Sequence, residues 1–144
     1  MKNIQLVATL SLTMVFCSCS GTLSPELTSL LGNWRSEKIY VNDQLQEEQV
    51  NEGVLLGFWL NDEKEQMYYR VFESGDFSLQ GDQLTFTPNP DLRILTRRYT
   101  LLELSGDRLV LQVSGTRKEL GWNLDGTSPE EVVVVREEYR REEM

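Results

Sequence analysis

From Asn33 onward, apolar and polar side chains alternate in short runs, the period of a strand with one face in a core and the other in water. The runs are Asn33–Val41, Val54–Leu60, Gln66–Glu73, Asp76–Gln80, Gln83–Thr87, Ile94–Leu104, Arg108–Val113 and Val132–Arg140, which makes eight predicted strands. The phase is clearest in Phe77/Leu79, Leu84/Phe86 and Leu109/Leu111/Val113, each with polar neighbours between. Val132–Val135 is continuously apolar, as in a strand covered on both faces or one that forms a pairing interface. Gly75-Asp76, Gly81-Asp82 and Gly106-Asp107 fall between runs, where glycine permits the positive φ of a tight hairpin. Consecutive hairpins with no long helix between them make a meander, and closing it removes its exposed edges. The expected fold is all-β, an eight-stranded antiparallel up-and-down barrel. An open β-sandwich is the alternative.

Ahead of the strands the period changes. Ser24 can cap a helix, Pro25 suits its first position, Glu26 favours the positive end of its dipole and Gly32 ends it. Leu27, Leu30 and Leu31 share one face of that short helix. Two long connections stand out from the tight turns: Asn42–Gly53, polar and acidic, and Arg117–Pro129, with Trp122 inside it.

The first residues follow a different logic. Lys2 is basic, Ile4–Phe16 is uncharged and mostly apolar, and Cys17-Ser18-Cys19-Ser20-Gly21 is small. That order predicts a removable export signal, too short to be a stable membrane span. Ser18 before Cys19 is small where Phe16 before Cys17 is bulky, so Cys19 is the expected lipidated residue. Residues 1–18 are thus expected to be a lipoprotein signal peptide, 19–26 the lipidated cysteine and a short tether, and 27–144 the barrel domain. An ordinary cleaved signal is the alternative. Lipid attachment would place the protein in the cell envelope, on the outer membrane facing the periplasm.

Composition narrows the chemistry. Formal charge is −9, or −10 without Lys2 and the rest of the signal, which disfavours nucleic acid and anionic headgroups as partners. There is no histidine, so Ser-His-Asp and Cys-His catalysis and His-containing zinc sites are excluded. One cysteine remains after the signal, so no intramolecular disulfide can form. The chain is read as a non-enzyme with no cofactor.

Leu30-Leu31-Gly32-Asn33-Trp34, a short helix running into Gly-x-Trp, resembles the opening of the lipocalin and fatty-acid-binding-protein superfamily. Phe77–Phe86 and Tyr99–Leu111 are similar to hairpins of the bacterial lipocalin-like domain. The resemblance spans about residues 27–140. It implies a lipocalin-like barrel in which Trp34 plugs the closed end and a basic residue of the last strand lies across it, Arg136 being the best match and Arg140 the next. The middle motif, the disulfide and the C-terminal helix of true lipocalins are absent, so no ligand specificity carries over.

Phe58, Trp59, Tyr69, Phe77, Leu79 and Phe86 are the residues expected to line an interior pocket, or to fill it. Tyr68 and Phe72 add to the aromatics of the second and third strands. Arg93, Arg97 and Arg98 form a basic patch able to receive a carboxylate or a partner, unless neighbouring glutamates neutralise it. Asn42–Gly53 is a candidate lid. Glu47/Glu48, Glu130/Glu131 and Glu137/Glu138 are adjacent residues that point to opposite faces of a strand, so none is a glycosidase pair. The expected function is non-covalent binding of a small apolar or amphipathic ligand by a lipid-anchored envelope protein. The alternative is a filled barrel whose surface binds another envelope protein or inhibits a protease.

Overall fold

The computed structural model describes residues 23–47, 54–122 and 126–143. Among the described residues a helix, α1 (Pro25–Leu30), leads into β1 (Gly32–Val41), β2 (Gln44–Leu45), β3 (Leu55–Leu60), β4 (Gln66–Arg70), β5 (Glu73–Gln80), β6 (Gln83–Pro88), β7 (Arg97–Leu104) and β8 (Arg108–Thr116). A second short helix, α2 (Arg117–Leu120), then precedes β9 (Val132–Glu142). β1 and β3 to β9 pair antiparallel in sequence order, and β9 pairs back onto β1, so eight strands close into a barrel. β2 is a two-residue extension folded back on the end of β1. The β1–β9 ladder runs from Asn33↔Glu142 to Val41↔Val135, which rules out the open sandwich.

The short helix forms as its residues predict. The Ser24 side chain accepts from the Leu27 N–H at 3.1 Å, Pro25 occupies the first turn, and Leu27 and Leu30 are buried. Gly32 then turns the chain into β1 with φ +121°, and a Cβ there would lie 2.8 Å from the Arg141 guanidinium. Both the dihedral and the space require glycine.

One turn lies elsewhere than expected. β4 and β5 are joined through Val71 and Phe72, and Gly75 sits inside β5, opposite Tyr68 and Pro88. Gly75 is required for room instead: a Cβ there would come within 2.1 Å of the Thr87 carbonyl oxygen. The longer hairpin keeps Arg70↔Glu73 paired, and so carries both charged side chains onto the inner wall. Likewise β7 begins at Arg97, because a 3-10 turn (Pro90–Leu92) capped by Asn89 takes up the preceding residues.

The inner wall carries Trp34, Leu56, Phe58, Tyr68, Phe77, Leu84, Phe86, Tyr99, Leu109, Leu111, Val133, Val135 and Tyr139, all buried in one core. α1 covers the end where β1 starts and β9 finishes. The opposite end, hereafter the far end, carries the Val71–Phe72 turn, the β6–β7 connection and α2. Leu120 and Trp122 pack against the core from that side. Cys19 and the signal lie outside the described residues, as do residues 48–53 of the candidate lid.

Candidate functional site: barrel interior and far end

At the α1 end the indole of Trp34 is fully buried, and its Nε1–H donates to the Leu30 carbonyl at 2.8 Å. The cation across it is Arg141, whose guanidinium carbon lies 4.2 Å from the ring centroid. Arg136 instead stacks on Tyr40 at 4.3 Å and pairs with Asp43, and Arg140 pairs with Glu37. Parity explains the correction. Inward positions of β9 are odd-numbered, and the ladder sets Trp34 opposite Arg141 and Tyr40 opposite Arg136. Arg141 also donates to the carbonyls of Leu31 at 2.8 Å, Gly106 at 2.6 Å and Ser29. It thus ties the negative end of α1 to the β7–β8 turn.

The six residues named for a pocket divide by the same parity. Phe58, Phe77 and Phe86 point inward, with Phe58–Phe77 ring centroids 4.9 Å apart and Phe58–Phe86 5.9 Å apart. Leu79 is partly buried against the same core. Trp59 and Tyr69 point outward: Trp59 is 39% exposed, and the two rings pack 5.7 Å apart on the outer wall. Tyr69 lies over Gly57, where a Cβ would fall 2.1 Å from its ring, and its hydroxyl donates to Asn33 Oδ1 at 3.0 Å. Phe58 and Trp59 are neighbours on one strand and cannot share a face.

The inward rings fill the barrel. Tyr68 and Phe86 lie 4.6 Å apart edge-on, Phe86 and Tyr99 5.2 Å apart. Trp34, Leu56, Tyr68, Leu84, Leu109, Leu111, Val133 and Val135 each have 0% exposure. A chamber large enough to admit even one water would leave accessible surface on its lining, and these residues have none.

Among these rings lies a charged network that alternation alone did not reveal. Arg70 pairs with Glu137 at 2.8 Å and donates to the Tyr99 hydroxyl at 3.1 Å, while the Tyr139 hydroxyl donates to Glu137 Oε2 at 2.6 Å. Arg97 pairs with Glu73, which also accepts from the Tyr68 hydroxyl. Burial opposes the Arg70 cation, but Glu137 with Tyr139 and Tyr99 outweighs it and holds Arg70 firmly charged. Burial raises the hydroxyls of Tyr68, Tyr99 and Tyr139, and the neighbouring glutamates push the same way. Two cations and two anions balance, and each carboxylate is held by a guanidinium and a hydroxyl. This set of mutually neutralising partners, in which only Arg97 Nε is left without a hydrogen bond among the described residues, has the chemistry of a core brace rather than of an acid–base pair.

The basic patch does not assemble. Arg97 points inward to Glu73, Arg98 faces the outer wall beside Ser78 and Thr85, and Arg93 sits in the left-handed region after the 3-10 turn. Adjacent glutamates behave as expected, Glu137 buried and Glu138 on the outside.

The far end is where apolar side chains meet solvent. Phe72 is 92% exposed, and Val71, Leu95 and Val132 are each more than half exposed. Val71 holds φ +49°, unusual for a β-branched residue and a store of local strain. Comparison of the chain with protein-family models, with characterised proteins and with solved structures finds no match to any of them. The reading of its function therefore rests on its own geometry.

Proposed function

We propose that this protein is a filled-barrel interaction module of the cell envelope, tethered by lipid on Cys19, which binds another envelope protein with its far end. The observation that carries the reading is the packed interior: a small apolar ligand would have to displace the rings of Phe58, Phe77, Phe86 and Tyr68 from a core that leaves them almost no exposed surface. Binding energy is then available only outside, and apolar side chains unprotected from water concentrate at the far end. The chain enters the barrel through α1 at the opposite end, so a short tether from Cys19 would turn the Val71–Phe72 side away from the membrane. The resemblance of the helix–Gly-x-Trp opening to lipocalin-like lipoproteins supports the envelope setting.

The test places a photo-crosslinking residue at Phe72 or Leu95, and, as a control, at Lys64 on the other end, in cells making the full chain. One crosslinked partner from the far-end positions, with none from Lys64, is the expected outcome. Equal crosslinking from all three, or oleate titration that quenches the buried tryptophan and shifts the melting temperature, overturns it. Radioactive palmitate should label wild type and not Cys19→Ala.

A further inference from the structure

The ladder between β7 and β8 stops short of the far end. β7 and β8 pair from Leu104↔Leu109 to Thr100↔Gln112 and no further, although β7 begins at Arg97 and β8 continues to Thr116. Beyond Thr100 and Gln112, each strand pairs only with its outer neighbour: Arg97 and Arg98 with β6, Val113 to Thr116 with β9. The two strands part into a notch that opens at the far end. A cavity of about 230 Å³ lies there, lined from both strands by Arg98 and Ser114 and also by Leu95 and Leu120. A second cavity of about 410 Å³, between the β6–β7 connection and α2 and beside Arg93 and Lys118, shares Leu95 and Glu119 with it.

Strand alternation shows which backbone groups face the notch. The Leu101 N–H donates to Asp82 on the β6 side, so three residues earlier the N–H and C=O of Arg98 point the other way. The Arg117 N–H donates to Glu131 on the β9 side, so by the same count the N–H and C=O of Ser114 point toward β7. Arg98 and Ser114 would form the next rung of the ladder, and that rung is missing. Each edge thus turns one backbone donor and one acceptor toward the notch, a pair that an added extended segment satisfies and a lone anion or alkyl chain does not.

Charge indicates what that strand carries. In a protein of formal charge −9, the side chains of Arg93, Arg98 and Lys118 beside the notch make no ion pair among the described residues. Of the carboxylates nearby, Glu119 is already held by the Thr116 N–H at 2.9 Å, which lowers its pKa, while Glu130 stands exposed.

We propose that the notch between β7 and β8 binds a short extended segment of a partner protein bearing acidic side chains, which adds to a free edge as a strand. This rests on the reading of the far end as an interaction surface and names where on it the partner docks.

The probes are three: a capped six-residue peptide alternating glutamate and valine, its lysine–valine counterpart, and octanoate. Each is titrated into the isotope-labelled mature chain carrying Cys19→Ser, with backbone amide signals followed by NMR. The expected result is that the acidic peptide alone shifts the amides of Arg98, Ser114 and Thr116. In R98E/K118E, still folded by circular dichroism, it should bind about tenfold more weakly, while Lys64→Glu leaves it unchanged. Silence at these amides with all three probes overturns the proposal, as does equal response to the lysine–valine peptide. The same shifts with octanoate would also overturn it and leave a simple carboxylate site. Shifts from octanoate at Tyr68 and Phe86 would instead defeat the filled-barrel reading itself. A far-end crosslinked partner whose footprint misses Ser114 would defeat only the notch.

Discussion

The two ends of this barrel are built to different standards. At the α1 end the backbone carbonyls that terminate the helix and the β7–β8 turn are held by Arg141, the indole beneath is fully buried, and its one polar hydrogen is satisfied. At the far end two strands part, a valine adopts a left-handed conformation and a phenylalanine is almost wholly in water. The contrast separates the parts of the molecule that secure the fold from the part left with unmet valences. Strain and exposed apolar surface persist where something other than folding has selected them.

Between the ends, the charged network decides whether the interior behaves as a core. Glu137 is 2% exposed and neutralises Arg70, whose side chain is 18% exposed, so Glu137→Ala leaves a mostly buried guanidinium without its carboxylate. The expected loss is about 3 kcal/mol in urea unfolding, the lower end of the cost of an orphaned buried charge, because Arg70 keeps some solvent and its bond to Tyr99. Replacing both partners, as in R70L/E137L, should recover most of it, because desolvation falls on neither. A small loss in the single variant would mean that the interior is wet, and with it the far half of the barrel open to ligands.

The next effect tests the α1 end. Arg141→Ala removes three hydrogen bonds to carbonyls and the cation over Trp34, and should cost about 2 kcal/mol. Arg136→Ala removes an ion pair to an exposed Asp43 and should cost under about 1 kcal/mol. Equal losses would put the two arginines on the same footing and undo the assignment of the barrel-end pair to Trp34 and Arg141.

The origin of that assignment shows what the residues alone could say. Alternation and turn residues located eight strands within a few positions, because a half-buried strand writes its period directly into the chain. Parity within β9 was harder to read, since Val132–Val135 is apolar on both faces and so carries no phase. Arg136 and Arg141 differ only in being even and odd, and the strand runs two residues past Arg140. The interior network was hidden for a related reason. Arg70, Glu73, Arg97 and Glu137 break the rule that inward positions are apolar, and only the three-dimensional pairing of opposite charges makes that breach tolerable. Placing the hairpin tip at Gly75 hid Glu73 further, by leaving it at the end of the Gln66–Glu73 run, on the same strand as Arg70 and not opposite it. The notch left a weaker trace: Gly115, beside Ser114, is a position where a β-branched residue would be usual in a strand.

Alkaline pH gives a smaller, graded test of the same interior. Burial holds the hydroxyls of Tyr68, Tyr99 and Tyr139 protonated above the ordinary tyrosine range. In the unfolded chain these groups ionise near pH 10, so the folded state binds more protons above that point. Stability from this source is fully present below about pH 10 and declines as pH rises through the folded values, by about 1.4 kcal/mol per pH unit for each tyrosine. The melting temperature should hold up to pH 9 and fall beyond it, and Tyr139→Phe should make the fall shallower. An unchanged slope in that variant would show its hydroxyl already in contact with solvent.

The smallest effect lies at the far end, and its sign matters more than its size. Val71 at φ +49° sets a branched Cβ against its own backbone, a strain that glycine lacks. Val71→Gly gives back some of this through the greater freedom of the unfolded glycine, so the net gain in stability should be under about 1 kcal/mol. Phe72→Ser, which exchanges a ring already in water, should leave folding within about 0.5 kcal/mol of wild type. If the turn matters only to folding, the glycine variant is simply the better protein. If its rigid tip is part of a docking surface, the same variant melts higher yet loses far-end crosslinking, as Phe72→Ser does without any change in melting. A stability gain accompanied by lost binding is the result that a purely structural turn cannot produce.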